Sequence, residues 1–123
     1  MKYVQETKTL VVAARGPVSD EEAKELTTRA ISLLKDTQAP CVLGDCRRME
    51  SGPSFASVYW LVNDYANCGL PPQTRIALVH SRTPRAVELA QFFETVCVNR
   101  RYEAKAFDSS QAAEAWLHSG ATA

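Results

Sequence analysis

The stretch that decides the fold is residues 41–55, CVLGDCRRMESGPSF. It begins with the apolar run CVL. The polar residues Asp45, Arg47, Arg48, Glu50 and Ser51 follow, before Gly52 and Pro53 open a helix. A short apolar run, a cluster of turn residues and a helix start predict a buried strand, a loop and a helix in succession. Loops in such units carry most functional side chains, so the polar part of this segment is the first candidate for a site.

The same unit of strand, loop and helix recurs along the chain. Apolar segments predict strands at about residues 41–46, 76–80 and 104–107, each followed by a helical pattern. Their nearly continuous apolar character is typical of parallel strands that are covered on both faces. Ahead of them, residues 1–6 and 8–14 are extended in character and predict a leading hairpin.

The predicted fold class is therefore α/β, as a single domain over residues 1–118 with a frayed tail at 119–123. The predicted sheet has about four to five strands, mixed but mostly parallel, with about four helices connecting and covering them. Helix starts are marked by the Ser19–Glu22 capping box and by Thr83 followed by a proline. Pro53 is expected at the first position of the second helix.

Length, charge and hydropathy exclude several classes of function. The chain has 123 residues with fourteen basic and fourteen acidic side chains, so no global field attracts nucleic acid or an anionic membrane. No apolar run approaches the roughly eighteen residues that a membrane span needs. The first ten residues lack the apolar middle of a signal peptide, so we expect a cytoplasmic protein.

The cysteines do not suggest a metal or redox centre. They lie at positions 41, 46, 68 and 97. No pair has the Cys-x-x-Cys spacing, and only His80 and His118 could add nitrogen ligands, so no metal site, cofactor or disulfide is expected. Cys41 and Cys97 lie in apolar surroundings and should resist thiol reagents, whereas Cys46, beside Arg47, should react first.

Polar loops are expected at the carboxyl ends of the strands, where open α/β sheets bind ligands. Four such loops are predicted, at residues 15–19, 45–54, 80–83 and 108–110. In and beside the middle two lie Arg47, Arg48, Arg82 and Arg85. Arginine next to a helix N-terminus binds phosphate or carboxylate oxygens two at a time. The edge is thus a candidate site for an anionic ligand.

Nine residues make up this candidate ligand-binding edge: Asp45, Arg47, Arg48, Ser51, Ser54, His80, Arg82, Thr83 and Arg85. Two interpretations stay open for its arginines. They bind an anionic or lipid-like ligand, or they pair with acidic neighbours on a solvated rim. Asp45 likewise either orients an arginine or caps a loop by accepting backbone N–H bonds.

Two further residues carry hypotheses of their own. Cys46 and His80 would form a nucleophile and base if adjacent loops brought them together, but a strand-end histidine that bonds to a loop is the simpler alternative. Trp60 falls on the polar side of the second helix, away from the core face expected at Phe55, Val58, Tyr59, Val62 and Ala66. It predicts either an interface anchor or a ring covered by its own chain.

Several segments resemble the STAS fold of bacterial anti-sigma-factor antagonists. These are GPVS at residues 16–19 before a helix and VLGD at 42–45 on a strand. The segments RIALV at 75–79, AFD at 106–108 and AWL at 115–117 are similar to the divergent STAS/SEC14-like branch of small stand-alone bacterial proteins.

The resemblance implies a binding module rather than an enzyme. In the antagonists, a serine in an Asp-Ser-Ser-Gly turn is phosphorylated and controls partner binding. Here the corresponding turn is MESG at residues 49–52, which keeps Ser51 before the glycine and lacks the first serine. Because Glu50 places a negative charge beside Ser51, we do not expect the phosphorylation switch.

The leading function expected from the sequence is a cytoplasmic STAS-like regulatory module that binds a protein partner, or itself as a homodimer, without catalysis. The second is a binder of a small anionic or lipid-like ligand at the arginine-lined edge, which a deep apolar pocket would favour. The third and least favoured is a thiol-dependent enzyme that uses Cys46 and His80. Nucleic-acid binding and a membrane span are not expected.

Overall fold

The structure, a computed structural model, describes residues 1–119. Its elements follow in the order β1 (Lys2–Val4), β2 (Thr9–Pro17), α1 (Asp20–Thr37), β3 (Cys41–Ser51), α2 (Phe55–Cys68), β4 (Arg75–His80), α3 (Pro84–Asn99), β5 (Glu103–Phe107) and α4 (Ser110–Ser119). The tail predicted at 119–123 lies outside the described residues except for Ser119, which ends α4.

The strands form one mixed sheet in the order β1-β2-β3-β4-β5. β1 pairs with β2 in antiparallel orientation, and the pairs β2–β3, β3–β4 and β4–β5 are parallel. The predicted α/β class, the leading hairpin strand and the mostly parallel sheet are confirmed. β3 is the central strand, with two strands on each side.

The strand order explains how the helices are distributed over the sheet. Strands β2 to β5 are adjacent in the order in which they occur, and parallel crossovers are almost always right-handed. The three crossover helices α1, α2 and α3 therefore pack on one face, whereas α4, after the last strand, packs on the other. Both faces of the central strands are thus covered.

Alternate residues of the strands supply two separate cores. On the crossover-helix face, Leu10, Val42 and Ile76 are buried from three neighbouring strands, and α1 and α2 add Leu34 and Val62. On the opposite face, a smaller core contains Leu43, Ala77, Val79, Ala113 and Leu117. β3 contributes to both cores, which explains its continuous apolar run.

Serine and threonine caps begin the helices. Ser19 accepts a hydrogen bond from the Glu22 amide while the Glu22 carboxylate accepts one from the Ser19 amide, which confirms the predicted capping box. Thr83 caps α3, as expected. Pro53 does not begin α2. The N-cap is Ser54, whose hydroxyl accepts a hydrogen bond from the Ser57 amide. Proline has no side-chain acceptor and cannot cap the helix in this way.

The polar segment after residue 44 is a strand and not the predicted loop. β3 pairs with β4 only as far as Cys46–His80, but it continues to Ser51 by pairing with β2, which extends to Pro17. Register shifts lie between Ala13 and Arg15 and between Gly16 and Pro17. Pairing with β2 at Arg48, Met49 and Ser51 satisfies part of the backbone hydrogen-bonding capacity of this segment. The two-stranded ribbon leaves its charged side chains in water.

The core face of α2 differs from the predicted one. Val58 and Val62 are buried and Phe55 and Tyr65 pack against them, whereas Tyr59 is 40% exposed. Residues 55, 58, 62 and 65 follow the helical period, and Tyr59 lies at the edge of that stripe. Ala66 is exposed as well. The prediction was wrong for Tyr59 and Ala66 because α2 carries more apolar residues than its sheet-facing side can bury.

We expect Leu117→Ala to lower the free energy of unfolding by about 2–5 kcal/mol, the usual cost of removing a fully buried leucine side chain. Leu117 is 1% exposed and belongs to α4. Among the described helices, α4 packs on one face of the sheet, and α1, α2 and α3 pack on the opposite face. Chemical denaturation measures the change. The exposed Glu114→Ala on the same helix is the control, and an equal effect of both variants would contradict the α4 packing.

Candidate functional site

The parallel register brings the predicted site residues to one edge of the sheet. Asp45 is the partner of Val79, and Cys46 is the partner of His80. Beyond this edge the β2–β3 ribbon projects, with Arg15 opposite Arg48 and Pro17 opposite Ser51. The residues are therefore neighbours, as expected, but several of them are already engaged with one another.

Asp45 and Arg47 form a two-pronged ion pair. Arg47 donates from Nε to Oδ1 at 2.9 Å and from Nη2 to Oδ2 at 2.8 Å. The Arg47 amide also donates to Oδ1, at 3.2 Å. The hydrogen bonds from the Arg47 side chain, offset in part by burial, lower the pKa of Asp45 below its usual range. Asp45 therefore orients an arginine and caps its own strand at once.

Two more arginines of the edge also have protein partners. Arg82 pairs with Asp108 at 3.3 Å. The Arg85 guanidinium lies 4.4 Å from the centre of the Phe55 ring, a cation–π geometry. Arg48 lies on the exposed ribbon. The solvated-rim interpretation thus describes Arg47 and Arg82, and ligand binding by the edge stays a prediction that would require these pairs to open.

The hydroxyl residues of the edge stabilise the backbone. Ser54 caps α2, and Thr83 caps α3 by accepting from the Ala86 amide at 3.3 Å. Ser51 ends β3, and its carbonyl accepts from the Val18 amide at 2.9 Å. The side chains of Ser54 and Thr83 therefore have clear structural roles before any ligand is considered.

An unpredicted contact joins the starts of α1 and α2. The Asp20 carboxylate accepts from the Ser54 amide at 2.7 Å and from the Ser54 hydroxyl at 3.0 Å. Charge-assisted bonds of this kind are about twice as strong as neutral ones. No local sequence signal points to it, because the two residues are separated by a helix and a strand. The contact holds the N-terminal ends of α1 and α2 together.

Cys46 and His80 are adjacent, but their chemistry does not suit a nucleophile. Burial, with a smaller contribution from the Asp45 charge, raises the pKa of the Cys46 thiol to about 12. A nucleophilic cysteine needs the opposite shift. His80 Nδ1 lies 2.8 Å from the Ser81 carbonyl and can donate to it, as expected of a strand-end histidine that bonds to a loop.

Trp60 stands on the outer face of α2. It is 68% exposed and makes an edge-to-face contact with Tyr59, with the ring centroids 5.4 Å apart. The Arg100 guanidinium lies 5.9 Å from the centre of the Tyr59 ring. The described part of the chain therefore does not cover the tryptophan, and the alternative of a ring buried by its own strand or loop is wrong.

A polar groove runs beside Trp60 between the outer sides of α1 and α2. Its charged side chains are Asp20, Glu21, Lys24 and Asp64. Leu61 forms part of its floor. Three carboxylates against one ammonium make the groove acidic, although the chain as a whole is neutral.

Beneath this groove lies an apolar cavity that the sequence did not predict. Its floor is a row of three residues in register across the sheet, Val12, Gly44 and Leu78. The preceding row on the same face, Leu10, Val42 and Ile76, is buried, but the floor row is only half-buried although crossover helices cover this face. Gly44 makes room for the Leu78 side chain, whose Cδ1 would lie 3.1 Å from a Cβ at this position.

The cavity has a volume of about 210 Å³. Its walls come from α1, α2 and α3, and Leu61 lines both the cavity and the groove above. The space is not sealed from solvent, because Ala23, Leu26 and Leu61 in its walls are only half-buried.

The chain matches the family described as SpoIIAA-like over residues 9–118. It belongs to the SpoIIAA-like family. The match covers most of the chain, from β2 to α4, and it confirms the resemblance to the STAS-like anti-sigma-factor antagonist fold. Membership suggests a protein-interaction regulatory module. No curated protein and no solved structure matches this SpoIIAA-like chain.

Two features are absent from residues 1–119 of the SpoIIAA-like chain. None of their helices combines the length and the apolar character needed to cross a bilayer. Within the same residues, no three histidine, cysteine, aspartate or glutamate side chains converge as a metal-binding group.

We expect Cys68 to react first with a maleimide in the native SpoIIAA-like protein, and not Cys46 as the neighbouring Arg47 suggested. Successive strand residues point to opposite faces, so the Cys46 thiol enters the cavity while Arg47 faces the other way. Burial raises the pKa values of Cys41 and Cys97 as well, the latter to about 12. Cys68, near the end of α2, is less enclosed, although burial and Asp64 also raise its pKa.

Peptide mapping after timed labelling gives the order of reaction. Denatured protein, in which all four thiols should label alike, is the control. Fastest labelling at Cys46 would contradict the enclosed position of its thiol.

Proposed function

We propose that this chain is a regulatory binding module that recognises a protein partner through the outer face of α2 and the acidic groove beside it. The observation that carries the proposal is the exposure of Trp60, 68% in the free chain. An exposed large apolar side chain forgoes roughly 1.5–3 kcal/mol of burial. A partner that covers the ring recovers that free energy.

The neighbours of Trp60 are suited to recognition. Tyr59 lies against it, and Arg100 lies over the Tyr59 ring. Tryptophan, tyrosine and arginine are the residues most enriched among those that dominate interface energetics. The aromatic pair is held on a helix whose other side is anchored by Val58 and Val62, so little ordering is needed on binding.

The charge of the groove indicates the chemistry of the partner. Asp20, Glu21 and Asp64 outnumber Lys24, so a segment with lysine or arginine side chains is complementary to it. A two-fold homodimer through the same face would place acidic grooves against each other. The charges therefore favour a basic segment of a different protein over a second copy, which remains the alternative.

The chemistry of the edge residues supports a module without catalysis. The pKa of about 12 keeps the Cys46 thiol protonated, and Ser54 and Thr83 are committed to helix caps. Ser51 lies beside Glu50 at the end of a strand and lacks the paired serine of the antagonists. We therefore propose regulation without the phosphorylated serine of that turn.

The lipid-like ligand of the second hypothesis finds support in a different place. A deep apolar pocket would favour this hypothesis, and the apolar cavity beneath α1 and α2 supports it, although that cavity lies under the helices rather than among the arginines of the edge. The two binding functions are compatible, because the groove and the cavity are on opposite sides of Leu61.

We expect Trp60→Ala to weaken capture of the partner by about 30-fold or more, the loss typical of a central interface tryptophan. The thermal midpoint should change little, because the ring is mostly in water. The measurement is the amount of partner retained from a host lysate by immobilised wild-type and variant chains, at low and at raised salt. Binding should also weaken with salt, since the groove is acidic.

Val98→Ala is the matched control, because Val98 is 55% exposed on α3 and lies outside the groove. Equal retention by Trp60→Ala and the control would contradict the proposal. A shift of Trp60→Ala from dimer to monomer on a sizing column would identify a second copy as the partner instead. A marked loss of stability in Trp60→Ala would contradict the exposed position of the ring.

A further inference from the structure

The outer side of β5 is the longer of the two edges of the described sheet. β1 and β5 are its outer strands, and β1 has 3 residues against 5 in β5. The edge of a sheet presents a row of backbone N–H and C=O groups that can pair with a strand of another chain. Natural sheets cover or blunt such edges, and β5 needs this protection more than β1 does.

Glu94 of α3 reaches this edge with its side chain. The Ala106 amide donates a hydrogen bond to Glu94 Oε1 at 2.7 Å, and it is therefore not directed at β4. Backbone groups of alternate strand residues point to the same side, so the amide of Ala104 also faces outward. Ala104 is 7% exposed, which means that its outward groups are largely shielded as well. The edge of β5 is thus closed in the free chain.

From this contact we infer that Glu94 guards the edge of β5 against pairing with the β5 of a second copy of the chain. Its carboxylate accepts the hydrogen bond that a carbonyl of an added strand would otherwise accept. The bond is charge-assisted, so the neutral carbonyl of an incoming strand is the weaker acceptor. The guard acts at the edge of the sheet and is independent of the partner-binding face proposed on α2.

The charges of β5 make a second copy the strand that fits this edge. Glu103 and Lys105 are exposed and lie two residues apart, on the same face of the strand. In an antiparallel pair with a two-fold axis at Ala104, Glu103 of each chain lies opposite Lys105 of the other, which stabilises the pairing. A two-fold axis at Lys105 would instead oppose two lysines. Glu103 also pairs with Arg75 at 3.1 Å, but 66% of its side chain stays exposed.

An exposed apolar side chain lies next to the guard. Val98 is 55% exposed and follows Glu94 by four residues on α3, which places both side chains on the same side of that helix. A chain paired with β5 would cover Val98, and the burial of its side chain would favour the pair. The edge therefore has both a charge pattern and an apolar contact that suit self-association once Glu94 is removed.

Amide hydrogen exchange tests the contact itself, followed by NMR on the full chain in dilute solution, where chains do not pair. Glu94→Ala should speed exchange at Ala106 by about tenfold or more, because a hydrogen bond to a charged group is lost. Glu94→Gln keeps a side-chain oxygen and should retain most of the protection. Rapid exchange of Ala106 in the unaltered chain, or equal exchange in Glu94→Ala, would overturn the inference.

Sedimentation over a range of concentrations tests the guard. Glu94→Ala should dimerise with a dissociation constant about tenfold or more below that of the wild type, because its outward amide is free to bond to a second strand. Glu88→Ala, at an exposed position on the same helix, is the control and should behave as the wild type does. Equal association of Glu94→Ala and the control would show that Glu94 guards nothing.

A second change locates the contact between the chains. Lys105→Glu, added to Glu94→Ala, sets a carboxylate against Glu103 across the pair and should restore the wild-type dissociation constant. Lys105→Arg keeps the positive charge and should leave the dimer of Glu94→Ala intact. Dimers that survive Lys105→Glu, or particles larger than dimers, would overturn the pairing through β5.

Discussion

The structure depends on the burial of β3 from both sides. Its first three residues, Cys41, Val42 and Leu43, are buried and divide between two cores. A strand of this kind needs helices on both faces and a strand on each side. The crossover helices cover one face of β3, and α4 covers the other. Farther along the same strand, Gly44 carries no side chain, and the Leu78 side chain of the neighbouring strand lies over it.

The general fold could be predicted because it depends on patterns that are local in the chain. Apolar runs identified the parallel strands, and Ser19 and Thr83 identified helix starts. The extension of β3 to Ser51 could not be predicted in this way, because it rests on pairing with β2 through two register shifts. Charged letters between a strand and a helix suggest a loop unless a partner strand is known. The orientation of α2 was likewise decided by the width of the sheet beneath it.

The candidate site was predicted in its location more than in its function. The edge residues are neighbours, yet Asp45 and Arg47 are bonded to each other and Ser54 is bonded to Asp20. Such pairings depend on side-chain distances that a sequence does not contain. The exposure of Trp60 followed from its helical position. The cavity did not, because Val12, Gly44 and Leu78 become neighbours only in the assembled sheet.

The central claim is that the fold holds an unfilled space between α1 and the sheet. The most direct test is the free energy of unfolding of Ala30→Leu, compared with that of Ala115→Leu, in the absence of any ligand. Alanine and leucine have similar helix propensities, so the comparison isolates packing. If the space exists, the added carbons fill it and stability rises by about 0.5–2 kcal/mol relative to the control. A loss of stability for Ala30→Leu would mean that the wall is already packed, and it would contradict the account.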